Sequence, residues 1–255
     1  MSPSAGKPVV GFIGLGDQGL PMALAIAEAG YELHVWARRP DSINDLRQVA
    51  HVPHAELGEL AAACQIVGLC VSTDEDVRHL VADGLLRQLA AGSIVVDHGT
   101  GTPRNAIALS EECAPAGVEV LDAPVSGGRP GARERRLLTM VGGPREAAER
   151  CRPVFDAFSR DVVYLGGAGA GQTAKLLNNA LLMLNQQSIR EMVELAAGLG
   201  LEPVRLVEVL KLGSANSNAL GHFGSLITPE NVGHLAAVEA LDMELFATAM
   251  RDAGV

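Results

Sequence analysis

Lys175 and Asn179 stand four residues apart in a stretch whose apolar residues recur at helical spacing, and positions four apart share one helix face. When a hydride reaches a carbonyl, the alkoxide that forms needs a proton or a nearby cation. A lysine can provide either, and burial and neighbours can bring its pKa toward working pH. Spacing alone also describes, and favours, a solvated lysine on the outer side of an amphipathic helix. Ser126-Gly127-Gly128 follows an apolar run and a proline. Small residues there let backbone N–H groups converge on an anion such as a carboxylate, with the serine hydroxyl as a further donor. A tight loop needing flexible glycines has the same composition. Arg129, directly after, reads either as an added charged contact or as a solvated side chain.

Gly14-Leu15-Gly16-Asp17-Gln18-Gly19 lies between an apolar run at residues 9–13 and a helix-like stretch at residues 20–27. Strand, glycine turn and helix together are the context a dinucleotide site requires. The first glycine makes the turn, the second lets backbone approach a pyrophosphate, and the third lets helix and strand pack closely. The helix N-terminus faces the phosphates. Gly14, Gly16 and Gly19, with Asp17 and Gln18 between them, are therefore expected to hold a cofactor. About 20 residues further on, an acid would bind the ribose of NAD. Ala37 stands there instead, followed by Arg38 and Arg39. Guanidinium groups can hold a 2′-phosphate in a fork of donors, whereas an acid would repel it. NADP is therefore the expected cofactor, with NAD possible and Arg38 the main clamp. Two arginines that only solvate a loop are the other reading.

The elements that must place these residues alternate. Strands are expected at 9–13, 31–36, 66–71, 93–97, 118–123, 137–141 and 162–165, with helices at 77–89 and 102–114 among them. Thr102 is a plausible N-cap, with Pro103 at the first helical position. The alternation predicts an α/β, Rossmann-type doubly wound parallel sheet with ligands beyond the strand carboxyl ends. Val71 and Ser72 should line the cofactor side of that crevice. From about residue 171 the pattern is helical, at 172–200, 203–212 and 239–252. A dinucleotide-binding domain at 1–167 and a smaller helical substrate and dimerisation domain at 168–255 are expected.

Composition narrows the class. A net charge of −10 and 3% aromatic residues argue against nucleic acid. No uncharged apolar run reaches about 18 residues, which argues against a membrane span. Residues 1–8 lack the apolar core of a signal peptide. The four cysteines are scattered, which suits reduced thiols and a cytoplasmic location, and the seven histidines form no ligand cluster, so no metal is expected.

Three further stretches complete a resemblance. They are Asp122-Ala123-Pro124-Val125-Ser126-Gly127-Gly128, the run from Gly169-Ala170-Gly171-Gln172 to Lys175 and Asn179, and the looser Asp97-His98-Gly99-Thr100. With residues 11–22 they resemble, in order and spacing, the β-hydroxyacid dehydrogenases, which include 3-hydroxyisobutyrate dehydrogenase and tartronate semialdehyde reductase. That resemblance implies an NADP-dependent oxidoreductase interconverting a small β-hydroxyacid and its aldehyde- or keto-acid. It implies Lys175 as the catalytic lysine, with Asn179 orienting substrate or lysine. Ser126, Gly127 and Gly128 would anchor the substrate carboxylate, Thr100 would stand near the nicotinamide, and Asp242 would lie on the cofactor side. The chain departs from the family at Gly99 (usually serine), Gln18 (commonly methionine) and Leu241 (lysine in a Lys-Asp pair). Imine reductases share the architecture but usually replace the lysine, which favours hydroxyacid chemistry. A non-catalytic NADPH-binding protein is the third reading, disfavoured by intact Ser126, Lys175 and Asn179. The sequence ends at Val255, where the family usually continues through further helices. A shortened helical domain would expose apolar surface unless a second subunit covered it, so a homodimer is expected. Substrate choice is expected from the helical domain, including Asn216, Asn218, His222 and Phe223.

Overall fold

The structure, a computed structural model, describes residues 6–222 and 232–254. In chain order the elements are β1 (Val10–Ile13), α1 (Gly19–Glu28), β2 (Leu33–Trp36), β3 (Val52–Pro53), α2 (Leu57–Ala63), β4 (Ile66–Leu69), α3 (Asp74–Leu80), β5 (Ile94–Asp97) and α4 (Pro103–Cys113). They continue with β6 (Glu119–Asp122), β7 (Val125–Ser126), α5 (Gly128–Arg133), β8 (Leu137–Gly142), α6 (Arg145–Phe155) and β9 (Ser159–Gly166). Helices α7 (Ala170–Gly198), α8 (Pro203–Leu212), α9 (Asn218–His222) and α10 (Val232–Ala253) complete the chain. The side chains of His222 and residues 232–239, and all of Phe223, lie outside the described residues.

The sheet order is β3-β2-β1-β4-β5-β6-β8-β7, with β9 paired to β8. Strands β1 to β6 pair in parallel, β6 and β7 each run antiparallel to β8, and β9 is parallel to β8. The chain steps outward from β1 to β3 and then returns to place β4 on the other side of β1. That reversal is the switch point where ligands bind in doubly wound sheets.

Every residue of β1, β4 and β5 is buried, as strands covered on both faces must be. Side chains alternate between two cores. Val10 and Phe12 join Ile94, Val96, Leu121 and the α6 side in one, while Ile13 joins Leu69, Val95 and Val120 in the other. Gly68 makes room for the first, since a Cβ there would sit 3.1 Å from the Phe12 ring.

The chain divides into two compact units, Met1–Lys175 and Leu176–Val255, with the division inside α7. Several boundaries differ from the sequence reading. The helix expected at 77–89 starts at Asp74, where Thr73 Oγ1 caps it by accepting from Asp76 N–H, and its turn widens over residues 81–85. Gly84 lies in that wide turn against Leu57, whose Cβ would be 2.8 Å from an added Cβ. Helix α10 begins at Val232, before the expected residue 239, and β3 and β7 are two-residue strands that carry too little periodicity to read. Thr102 does cap α4, accepting from Asn105 N–H at 3.2 Å.

Candidate active site

Parallel strands put the carboxyl ends of β1, β4, β5 and β6 along one edge, and the loops leaving them carry most of the motif residues. The β1–α1 turn meets the demands of a dinucleotide loop at each glycine. Gly14 has φ +98°, and a Cβ there would lie 2.1 Å from Cys70 O. A Cβ on Gly19 would lie 1.8 Å from Gly14 O. Gly16, between them, meets nothing within 4 Å, so its backbone is open on the side where a pyrophosphate would approach. Gln18 at the N-cap of α1 makes no side-chain cap and the first turn holds no acid, leaving the N-terminus free for an anion. These features fit a dinucleotide cofactor. A groove of about 510 Å³ runs from Gly16 and Asp17 along α1 to Arg133. Arg129 Nη1 lies 3.6 Å from Asp17 Oδ1 and so links the Ser-Gly-Gly segment to this turn.

Arg38 and Arg39 follow β2. The Arg38 side chain is 80% exposed, and its Nη1 donates to Asp76 Oδ1 at 3.2 Å, which brings it beside the start of α3. Arg39 is exposed, and its carbonyl accepts from Ser42. Val71 is half-buried and Ser72 exposed beyond β4. The loop after β5 presses against the loop after β4, since a Cβ on Gly99 would sit 2.8 Å from Val71 O. That close approach accounts for glycine where the resembling family has serine. Thr100 is half-buried in this loop. Ser126 closes β7, and Gly127 (φ +132°) and Gly128 (φ +60°) turn the chain into α5.

Helix α7 is anchored at its start by a residue the sequence reading placed in a motif without a role. The Asp122 carboxylate, at the end of β6, accepts the Gly169 N–H at 2.8 Å and the Gln172 N–H at 2.9 Å. A carboxylate there suits the positive helix terminus. Burial pushes the Asp122 carboxyl above its ordinary value, and these backbone donors pull it back. The approach is close enough that a Cβ on Gly171 would lie 2.4 Å from Asp122 O. Gln172, absent from the sequence-based site, is 1% exposed. Its Nε2 donates to Gly99 O and its Oε1 accepts from Gly101 N–H, both at 2.9 Å.

Lys175, one turn into α7, keeps only 9% of its surface exposed, which rules out the solvated outer position. Asn179, one further turn along, keeps 7%. In the second unit, Asn179 Nδ2 donates to Asp242 Oδ2 at 2.7 Å and its Oδ1 accepts from Asn178 at 3.1 Å. Asp242 therefore has a partner in the motif asparagine, and neighbouring Leu241 is exposed. Asn216 and Asn218 are also exposed. Among the described residues no three His, Cys, Asp or Glu side chains converge as metal ligands, and no helix is long and apolar enough to cross a membrane.

Residues 9–166 match the model for the NAD-binding domain of 6-phosphogluconate dehydrogenase. Residues 169–255 match the NAD-binding model of NADP-dependent 3-hydroxyisobutyrate dehydrogenase. The chain belongs to the β-hydroxyacid dehydrogenase family. Among curated relatives of this family, it is 32% identical over 240 residues to the 2-hydroxy-3-oxopropionate reductase of Escherichia coli K12, covering 92% of this chain and 82% of that one. It is 34% identical over 213 residues to a 3-hydroxyisobutyrate dehydrogenase of Pseudomonas aeruginosa, covering 83% and 72%. Among solved structures it resembles the 3-hydroxyisobutyrate dehydrogenase of Mycobacterium tuberculosis with L-serine, with a TM-score of 0.87, 27% identity, and coverage of 97% and 88%. This β-hydroxyacid dehydrogenase family member is thus a nicotinamide-dependent oxidoreductase with a Rossmann-type domain.

Proposed function

We propose that the enzyme interconverts a small β-hydroxyacid and its aldehyde- or keto-acid with NADP(H), using Lys175 as the group that gives or takes the hydroxyl proton. A bound nicotinamide supplies or accepts the hydride. Gly14, Gly16, Asp17, Gln18 and Gly19 would hold its pyrophosphate, with Val71, Ser72 and Thr100 along the same edge. Ser126, Gly127 and Gly128 would take the substrate carboxylate. Asn179, held by Asp242, would orient substrate or amine. The observation that carries this reading is a lysine withdrawn from solvent one helical turn before an equally buried asparagine. A buried amine beside a reacting oxygen can trade a proton with it or steady its charge. The names of the relatives point to the same substrate class. Following NADPH consumption with small aldehyde-acids, glyoxylate-like acids and cyclic imines tests it. Consumption with acids supports the reading, whereas consumption with imines alone, or binding without consumption, overturns it.

Preference for NADP rests on Arg38, which follows Ala37, the residue standing beyond β2 where an NAD-binding acid would otherwise be. Arg38→Ala should weaken NADPH binding about tenfold, a typical loss for one charge-assisted contact, and leave NADH binding within about twofold. Isothermal titration with both cofactors measures this, and equal losses for the two would remove Arg38 from the 2′-phosphate.

A homodimer completes the proposal. Along α7, Leu177, Leu181, Leu184 and Leu195 are exposed at intervals that keep them in one stripe, and Leu212 of α8 is 91% exposed. Apolar surface of this extent marks an interaction surface. Sedimentation at micromolar concentration should give twice the mass of one chain; a well-folded monomer would contradict it. A cytoplasmic location is proposed alongside, in keeping with four cysteines that are all free thiols.

A further inference from the structure

We infer that Gln172 is a positioning residue that sets the Thr100 loop against the helix carrying Lys175. The inference rests on the hydride-transfer reading above, in which Thr100 stands near the nicotinamide. Gln172 has one carbonyl acceptor and one amide donor group, and each has a single fitting partner here. Nε2 meets the carbonyl of Gly99, and Oε1 meets the N–H of Gly101. The two peptide groups lie on either side of Thr100, so one side chain holds both ends of that residue. Local sterics cannot do this, because the flanking residues are glycines with wide backbone freedom. Nor can side chains replace them. A Cβ on Gly101 would lie 2.0 Å from Asp74 Oδ1, and one on Gly99 would lie 3.2 Å from Asp97 Oδ1. The loop is therefore held by side-chain hydrogen bonds: Asp97 accepts the Gly99 N–H, Asp74 accepts the Thr102 N–H and hydroxyl, and Gln172 bonds both peptide groups that flank Thr100.

Gln172 is itself fixed. Its own N–H donates to Asp122 Oδ2, and the residue is almost fully buried. Lys175 follows three positions later on the same helix, where residues share a face. The ends of β5 and β6 and the first turn of α7 are thus joined through one residue, by its side-chain amide and its backbone N–H, and the amine and the threonine loop take their positions from the same anchor. A reaction whose groups must be aligned within a fraction of an ångström is sensitive to such an anchor.

Gln172→Met keeps the length and apolar stem but can neither donate nor accept in the same way. Gln172→Glu keeps the acceptor for Gly101 and loses the donor to Gly99. In the cofactor-free protein, Gln172→Met should speed hydrogen exchange at the Gly101 amide about fivefold or more, the worth of one hydrogen bond. With substrate, kcat should fall roughly ten- to a hundredfold while the NADPH dissociation constant moves less than about threefold, with Gln172→Glu in between. Thr100→Ala should cost far less in the Gln172→Met background than in the unvaried protein, because its position is already lost. A kcat within about twofold of the unvaried protein, or an unchanged cost of Thr100→Ala, overturns the inference. If Gln172→Met does not fold, Gln172→Glu carries the same comparisons. Should the unvaried protein bind NADPH yet turn over no substrate, the hydride-transfer reading falls. The positioning role is then decided by the emission of bound NADPH and by Gly101 exchange, and no change in either on Gln172→Met overturns it.

Discussion

Lys175→Ala is expected to lower turnover by roughly 10²- to 10⁴-fold, the range for loss of a general acid–base group, while NADPH binding stays within about threefold. The two effects separate because the proposed cofactor contacts lie on other loops: the β1–α1 turn, the segment after β2 and the loops after β4 and β5. Lys175→Met is the better structural control, since it keeps an unbranched stem in a site where only 9% of the lysine is exposed. Both substitutions suit a helix, so melting temperature should report little helix loss. Lys175→Arg adds a further distinction. Arginine keeps the positive charge but does not deprotonate in proteins. If the lysine only steadied an alkoxide, arginine would restore much of the rate. If it also trades a proton, arginine should remain nearly as slow as alanine. Stopped-flow measurement of NADPH oxidation, beside fluorescence titration of NADPH, reads both quantities. Turnover within about threefold of the unvaried protein in Lys175→Ala would remove the lysine from the chemistry.

The contrast between Gly16 and Gln172 shows what a sequence discloses here. Each fingerprint glycine meets a local demand: a left-handed φ at Gly14, open backbone at Gly16, and contact with the preceding turn at Gly19. Demands of that kind are written in neighbouring residues, and so was the capping of α4 by Thr102. The doubly wound order could be anticipated too, because strands buried on both faces read as continuous apolar runs. Gln172 meets its partners 71 and 73 positions away, and Asp122 meets the start of α7 47 and 50 positions away. Nothing adjacent to either residue announces those partners. The same holds for Lys175. Spacing placed it on a face it shares with Asn179, but only packing decides whether that face is covered, and spacing alone favoured the solvated side. The Asn179–Asp242 hydrogen bond joins two motif residues that the sequence assigned to separate tasks. The widened turn at 81–85 had no periodic signature to betray it.

Adjacent residues at the end of β5 should give the protein two opposed pH dependences of stability that partly offset one another. His98 lies between Phe12, Phe155 and Phe158, with ring centroids 6.2, 5.6 and 5.5 Å away, and its Nδ1 lies 2.9 Å from Ala123 O. Burial lowers its pKa from 6.5 to about 4, opposed by that hydrogen bond. Asp97 is buried next to it, and burial raises its carboxyl from 3.8 to about 7; the Gly99 N–H pulls the other way, and Asp74 and Asp122 push it further up. Between about pH 4 and 6.5 the unfolded chain binds the extra proton at His98, so that residue makes stability rise with pH. Between about pH 4 and 7 the folded chain binds the extra proton at Asp97, so that residue makes stability fall with pH. Each slope integrates to roughly 3 or 4 kcal/mol, each tenfold in proton affinity being worth about 1.4 kcal/mol. His98→Leu should therefore leave a protein whose stability falls as pH rises from 4.5 to 6.5. Asp97→Asn, whose amide oxygen can still accept from Gly99, should leave one whose stability rises over the same range. Leaving Ala123 O without its partner lowers the His98→Leu curve by about 1–2 kcal/mol at every pH and does not alter its slope. Urea midpoints at four or five pH values give the slopes directly. Two variants that both follow the unvaried protein's profile would show that neither group titrates differently in the folded and unfolded chains.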